Sequence, residues 1–166
     1  MEGVDRDLLF KAVRAVLLNQ DGRARGVVKS IYSNMTYQEL TPLLDAINQS
    51  IIESAPSGIM FADDIRVSGL EFFVKHKIYE GMAGIVRYAR DQKLHGSKPR
   101  LIRVMKFLVS YGAHAKEMIP KLKELVTYFP TQTAHPRSIN REKSKIVEET
   151  IQKIQNKAYI FGLTIS

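Results

Sequence analysis

Asp64-Ile65-Arg66-Val67-Ser68-Gly69-Leu70-Glu71-Phe72 and Leu101-Ile102-Arg103-Val104-Met105-Lys106-Phe107-Leu108-Val109 decide the fold, because sliding the chain by 37 residues lays one on the other. Ile65-Arg66-Val67 falls on Ile102-Arg103-Val104, Leu70 on Phe107 and Phe72 on Val109. The register continues with Ile78 on Ala115, Glu80 on Glu117, Met82 on Ile119, Ile85 on Leu122 and Ala89 on Val126. Apolar positions therefore match across two helices and a turn, the mark of a repeating supersecondary unit. A fainter copy lies upstream, where Leu40-Thr41-Pro42-Leu43-Leu44 is similar to Met118-Ile119-Pro120-Lys121-Leu122.

Outward from this pair, apolar spacing and punctuation predict helix almost throughout. Leu9, Val13, Val16 and Leu17 make a first stripe that ends near Asp21-Gly22, and Val27, Val28, Ile31 and Tyr32 make a shorter second one. Thr36 with Glu39 has capping-box spacing, and Thr41-Pro42 places proline where a first turn tolerates it. Asp63 or Asp64 is expected to cap the helix that carries Ile65, Val67, Leu70, Phe72 and Phe73, and Ser97 the helix that carries Leu101, Val104, Met105 and Leu108. The last helix, from about Ser138 to Lys157, sets Val147, Ile151, Ile154 and Ala158 on one side. Tyr159 to Ile165 is apolar without helical spacing and is the one ambiguous segment.

The expected architecture is all-α and a single domain over 1–166. A capping helix occupies 1–22, helical pairs 23–54, 63–92 and 98–129, and a closing helix 138–158. Each pair leaves an apolar side that only a stacked neighbour covers.

Asp64-Ile65-Arg66 opening a helix, and Leu108-Val109-Ser110-Tyr111-Gly112-Ala113-His114-Ala115 leading into Met118-Ile119-Pro120-Lys121-Leu122, resemble HEAT-like repeats, including those of the phycobilisome-lyase type. In that family an acid, an aliphatic residue and arginine begin the first helix, and an aliphatic-proline step lies near the start of the second. The resemblance covers residues 60 to 130 well and 23 to 54 weakly. It implies an α-α superhelix, a fold that serves as a scaffold in unrelated proteins, so it speaks to architecture before function.

Of the 166 residues, 45% are apolar and 25% charged, a composition that supports a packed core. No apolar run reaches the roughly 18–20 residues of a membrane span, so no membrane insertion is expected, and a cytoplasmic address is the default. With no cysteine there are neither disulfides nor thiolate metal sites. The net charge of +8 lies wholly in residues 96–166, since residues 1–95 balance. Such asymmetry fits either a solvated basic face or a surface for an anionic partner.

Chemistry-bearing constellations are sparse. His76, His95, His114 and His135 show no metal-ligand spacing. Asp63-Asp64 suits a helix start better than an acid/base pair. Gly81 and Gly84 fall within a helix, where close approach of a neighbour explains them better than a phosphate loop does. Neither catalytic activity nor a metal or cofactor is expected.

Two surface features remain. A basic series, Arg87, Arg90, Lys93, Lys98, Arg100, Arg103 and Lys106, spans a helix, a loop and the next helix. The outward side of the second helix in each pair, which lines the concave surface in HEAT solenoids, would present Tyr79, Arg87, Lys116, Lys123 and Thr127. The partner-binding candidates are therefore Tyr79, Arg87, Arg90, Arg100, Arg103, Lys116 and Lys123. The reading is a protein-interaction or scaffolding module. The alternatives are a nucleic-acid-binding module that uses the basic final third, and a structural accessory domain of a larger enzyme.

Overall fold

The computed structural model describes residues 5–27, 35–52, 59–92 and 97–164, and every regular element among them is helical. The chain divides into two compact units, 1–72 with residue 166, and 73–165. The division falls inside a helix of the expected 63–92 pair.

In the first unit, α1 (Arg6–Leu17) is started by Asp5, whose carboxylate accepts the N–H groups of Asp7 and Leu8. Val13 and Leu17 from the first apolar stripe are buried. A short α2 (Gly22–Val27) follows, and α3 (Tyr37–Leu40) leads through a 3₁₀ turn, Thr41–Leu43, into α4 (Leu44–Ile52). Of the second expected stripe, Val27 is exposed, while Val28, Ile31 and Tyr32 lie outside the described residues. Arg14 and Asp45 form a two-pronged ion pair that ties α1 to α4, which raises the guanidinium's pKa and lowers the carboxyl's.

The capping box is realised in both directions. Glu39 N–H donates to Thr36 Oγ1 at 3.3 Å, and Thr36 N–H donates to Glu39 Oε2 at 2.9 Å. Thr36→Ala should cost about 1 kcal/mol, measurable by denaturant titration, while Thr36→Ser should cost a few tenths at most. Equal losses for both would show that the methyl group, and not the cap, carries the effect.

Helix α5 (Ile59–Lys75) corrects one expectation. It opens at Ile59, so Asp63 and Asp64 lie inside it and cannot cap it, because a cap residue must stand before the first helical turn. Arg66 is buried instead: its Nε–H donates to the Ile51 carbonyl at the end of α4 (2.6 Å), and its guanidinium lies 3.9 Å from Asp63. The arginine thus supplies a donor to a carbonyl in the last turn of α4, where helix carbonyls run out of intrahelical partners.

The second unit takes over at the last turn of α5 and holds α6 (Glu80–Arg90), α7 (Ser97–Val109), a 3₁₀ stretch Gly112–Met118, α8 (Ile119–Tyr128), a 3₁₀ turn Phe129–Thr131 and α9 (Arg137–Gln155). Helix α6 packs on α7, and α9 lies against both α7 and α8. Pro120 sits in the first turn of α8, where its missing N–H costs nothing. In the second helices burial matches along the 37-residue register only in part. Ile78 and Ala115, Gly81 and Met118, Ile85 and Leu122, Tyr88 and Leu125, and Gln92 and Phe129 are buried pair by pair. Met82 and Ala89, however, are buried while their counterparts Ile119 and Val126 are half-buried, and Val86 is buried where Lys123 is exposed.

The first helices do not follow that register. Ile65 and Arg66 are buried, whereas Ile102 is 36% exposed and Arg103 is exposed. Helix α7 buries Leu101, Val104, Met105 and Leu108, a face displaced by one residue, which is about 100° of helix rotation. Ser97, the expected cap of α7, is its first residue, and its buried hydroxyl has no hydrogen bond among the described residues.

The ambiguous tail is extended. Ala113 N–H donates to Ala158 O, Thr164 N–H donates to Lys77 O (2.9 Å), and Tyr79 N–H donates to Thr164 O (2.8 Å). Between these anchors His114 Nε2 lies 2.6 Å from Phe161 O, and the Lys77 ammonium stands 4.8 Å from the Phe161 ring centroid. The tail therefore straps the turn before α6 to the turn after α7. Gly112, at φ 64°, takes the left-handed conformation that frees this second turn, and a Cβ there would lie 3.3 Å from Ala158 O. Ala158, expected on the inward face of the last helix, is exposed beyond its end, because α9 stops at Gln155.

Candidate interaction groove

Helices α6 and α8 lie side by side with a groove of about 740 Å³ between them, all of it within the second unit. From α6 it is lined by Ala83, Val86, Arg87, Arg90 and Asp91, and from α8 by Lys121, Glu124, Leu125 and Tyr128. These positions follow one another at three- and four-residue steps, so each helix offers one face over about two turns, roughly 11 Å. Its apolar lining is the buried Val86 and Leu125 with the exposed Ala83, and its charged lining carries both signs.

Arg90 is the best-organised side chain in the groove. Its guanidinium carbon lies 4.6 Å from the centroid of the Tyr128 ring, a cation-π contact made across the groove. Arg87 and Lys121 make no hydrogen bond or ion pair among the described residues. Both arginines sit in the last turn of α6, where the free carbonyl ends favour cations.

The remaining candidates are dispersed. Tyr79 donates its hydroxyl to Glu117 Oε2 at 2.9 Å, an acceptor that raises the phenol's pKa, and so ties the start of α6 to the following 3₁₀ stretch. Lys116 is half-buried on that stretch. Arg100 donates Nε–H to Gln92 Oε1 (2.5 Å), while Gln92 in turn donates to Tyr88 O. Arg103 lies 5.6 Å from the Phe107 ring centroid on its own helix. Lys98 pairs with Glu142. Lys123 and Thr127 line a different depression, about 380 Å³, together with Val126, Glu148, Ile151 and Gln152 of α8 and α9. The structure thus brings together Arg87 and Arg90 and separates them from Tyr79, Arg100, Arg103, Lys116 and Lys123. It adds Lys121, Glu124, Asp91 and Tyr128. Their signal in the sequence was the matched spacing of Ala83, Arg87, Arg90 and of Lys121, Glu124, Leu125, Tyr128, readable only once the two faces are known to meet.

Among the described residues no three His, Asp or Glu side chains converge, and no helix is long and apolar enough to cross a membrane. No family model, curated protein or solved structure matches the chain.

Proposed function

We propose that the chain is a HEAT-like helical-repeat module that binds a protein partner along the groove between α6 and α8 and has no catalytic activity of its own. The observation that carries this reading is the groove itself, with Val86 and Leu125 in its lining, an arginine in cation-π contact with tyrosine and charges of both signs. Aromatic and arginine side chains at the centre of a concave surface are the groups that dominate protein interfaces. Ile85 with Leu122 and Tyr88 with Leu125, 37 residues apart and buried in both helices, support the repeat assignment, with α6 and α8 as the second helices of successive pairs.

Charge weighs against the nucleic-acid alternative. A phosphate backbone needs several cations in a row, yet Asp91 and Glu124 stand among the three cations of this groove. Arg100 and Arg103 are engaged elsewhere, and Lys98 is neutralised by Glu142.

A labelled 20-base-pair duplex and a single-stranded RNA of similar length, titrated by fluorescence anisotropy, separate the two. Binding no tighter than about 10 μM at physiological salt is expected, in the range of non-specific contacts. Sub-micromolar binding with a log-log salt slope of about −0.9 per phosphate, lost on reversing Arg87 and Arg90, would overturn the proposal. In the same experiment series, a photo-reactive residue replacing Ala83 should yield protein adducts in extract of the native cells, and the same residue at exposed Lys145 should not. Adducts removed by nuclease would favour the alternative.

A further inference from the structure

We infer that the segment seated in the α6/α8 groove carries a carboxylate side chain on Arg87 and Arg90, next to an aliphatic side chain on Val86 and Leu125. This rests on the interaction reading above and names the chemistry of the partner. Arg87 and Arg90 are one turn apart on the same face of α6, and a guanidinium presents two parallel N–H donors that match a carboxylate. The Arg90 guanidinium carbon lies 4.6 Å from the Tyr128 ring centroid, and its N–H groups have no acceptor among the described residues. An arginine held in this way is pre-organised, so less rotamer entropy is lost when an anion arrives.

The cations' stabilising effect on the carbonyl end of α6 explains their presence but not their lack of partners. Asp91 and Glu124 line the same groove, yet no ion pair closes between them and Arg87, Arg90 or Lys121. Those two acids also select the ligand. A polyphosphate or a run of acidic residues would press charge against them, whereas one carboxylate flanked by neutral or basic groups would not. The length of roughly 11 Å spans about three extended residues, so the recognised segment is short.

Random heptapeptides displayed on phage and panned on the full chain provide the test. Enriched sequences should hold Asp or Glu beside Leu, Ile, Val or Met. A synthetic peptide of the enriched sequence should bind about tenfold or more weakly to the variant carrying Arg87→Gln and Arg90→Gln, as expected for losing a charge-assisted hydrogen bond. Arg90→Lys, which keeps the charge and removes the fork, should lose most of that factor alone. Panning on Arg87→Glu with Arg90→Glu should turn the preference to Lys or Arg. Thermal melts check each variant's fold, and Lys121→Glu on α8 carries the test if the α6 variants do not fold. Enriched peptides that protect the Ala83 crosslinker but contain no acid would overturn this inference and leave the interaction reading standing. Absence of any peptide that depends on the groove would overturn both.

Discussion

Gly81→Ala should be among the most destabilising single substitutions in the second unit, at about 2–4 kcal/mol. A Cβ at this position would stand 2.3 Å from Tyr111 Oη and 2.8 Å from Phe73 Cβ, so something must move. Overpacking of this kind costs about 1–3 kcal/mol. Shifting the phenol adds to it, because the buried Tyr111 hydroxyl donates to the Ile78 carbonyl at 2.8 Å. Burial raises that phenol's pKa well above its ordinary value, so it remains a donor at any physiological pH. Tyr111→Phe alone should cost only about 1 kcal/mol, since the Ile78 carbonyl also accepts the Gly81 N–H. Removing the hydroxyl also removes the nearest atom to the new methyl group. Gly81→Ala should therefore be milder by about 1 kcal/mol or more in the Tyr111→Phe background than in the parent. Denaturant titration of the four proteins gives the coupling directly, and strictly additive losses would refute the close approach.

Lys143→Met should have the opposite sign and raise the melting temperature. Lys143 is 1% exposed, with its ammonium 4.3 Å from the Phe129 ring centroid and 3.4 Å from His135 Nδ1. No carboxylate pairs with it among the described residues. The ammonium thus has no counter-ion among them. Its long hydrogen bond to His135 Nδ1 and a cation-π contact worth about 2 kcal/mol at most offset only part of the several kcal/mol that desolvating a charge costs, so the hydrophobic replacement wins. A gain of about 1–3 kcal/mol, or roughly 2–4 °C per kcal/mol in a chain of this size, is expected. Burial and mutual repulsion lower the pKa of His135, and burial lowers that of Lys143. Each group is thus more easily deprotonated in the folded state than in the unfolded one. For His135 the contribution to stability is complete above its unfolded value near 6.5 and is lost as pH falls through its lower folded value. The penalty from Lys143 is in force at neutral pH and is relieved as pH rises through its folded value towards 10.5. Melts between pH 5 and 8 should show an acid-side loss that is shallower in Lys143→Met, because the neighbouring cation is gone. An unchanged profile together with a lower melting temperature would mean that the ammonium is solvated or paired.

Much of the fold was legible in the sequence, and particular residues show why. Thr36 and Glu39 announced their reciprocal cap, Pro120 its first turn, and Leu101, Val104, Met105 and Leu108 their buried face, because each signal acts within one or two helical turns. Lys143 was legible too, in retrospect. It shares a face with Val147, Thr150 and Ile154, the spacing of a buried stripe, but its charge argued for solvent. The tail from Ala158 to Thr164 could not be read, since its partners are the backbone groups of Lys77, Tyr79 and Ala113 in distant turns, and backbone groups leave no residue-specific trace.

The sequence by itself determined the helical class and the approximate place of most helices, because hydrogen bonding within a helix and the spacing of its apolar side chains are local properties. Only the tertiary structure decided which cations share a surface. Arg87 and Arg90 face Lys121 and Tyr128 across one groove, while Lys123, two residues from Lys121, looks into another. A step of one residue turns a side chain by about 100° around the helix axis, so the grouping depends on how one helix is rotated against its neighbour. That rotation is set by the packing of whole faces, which no short stretch of sequence contains.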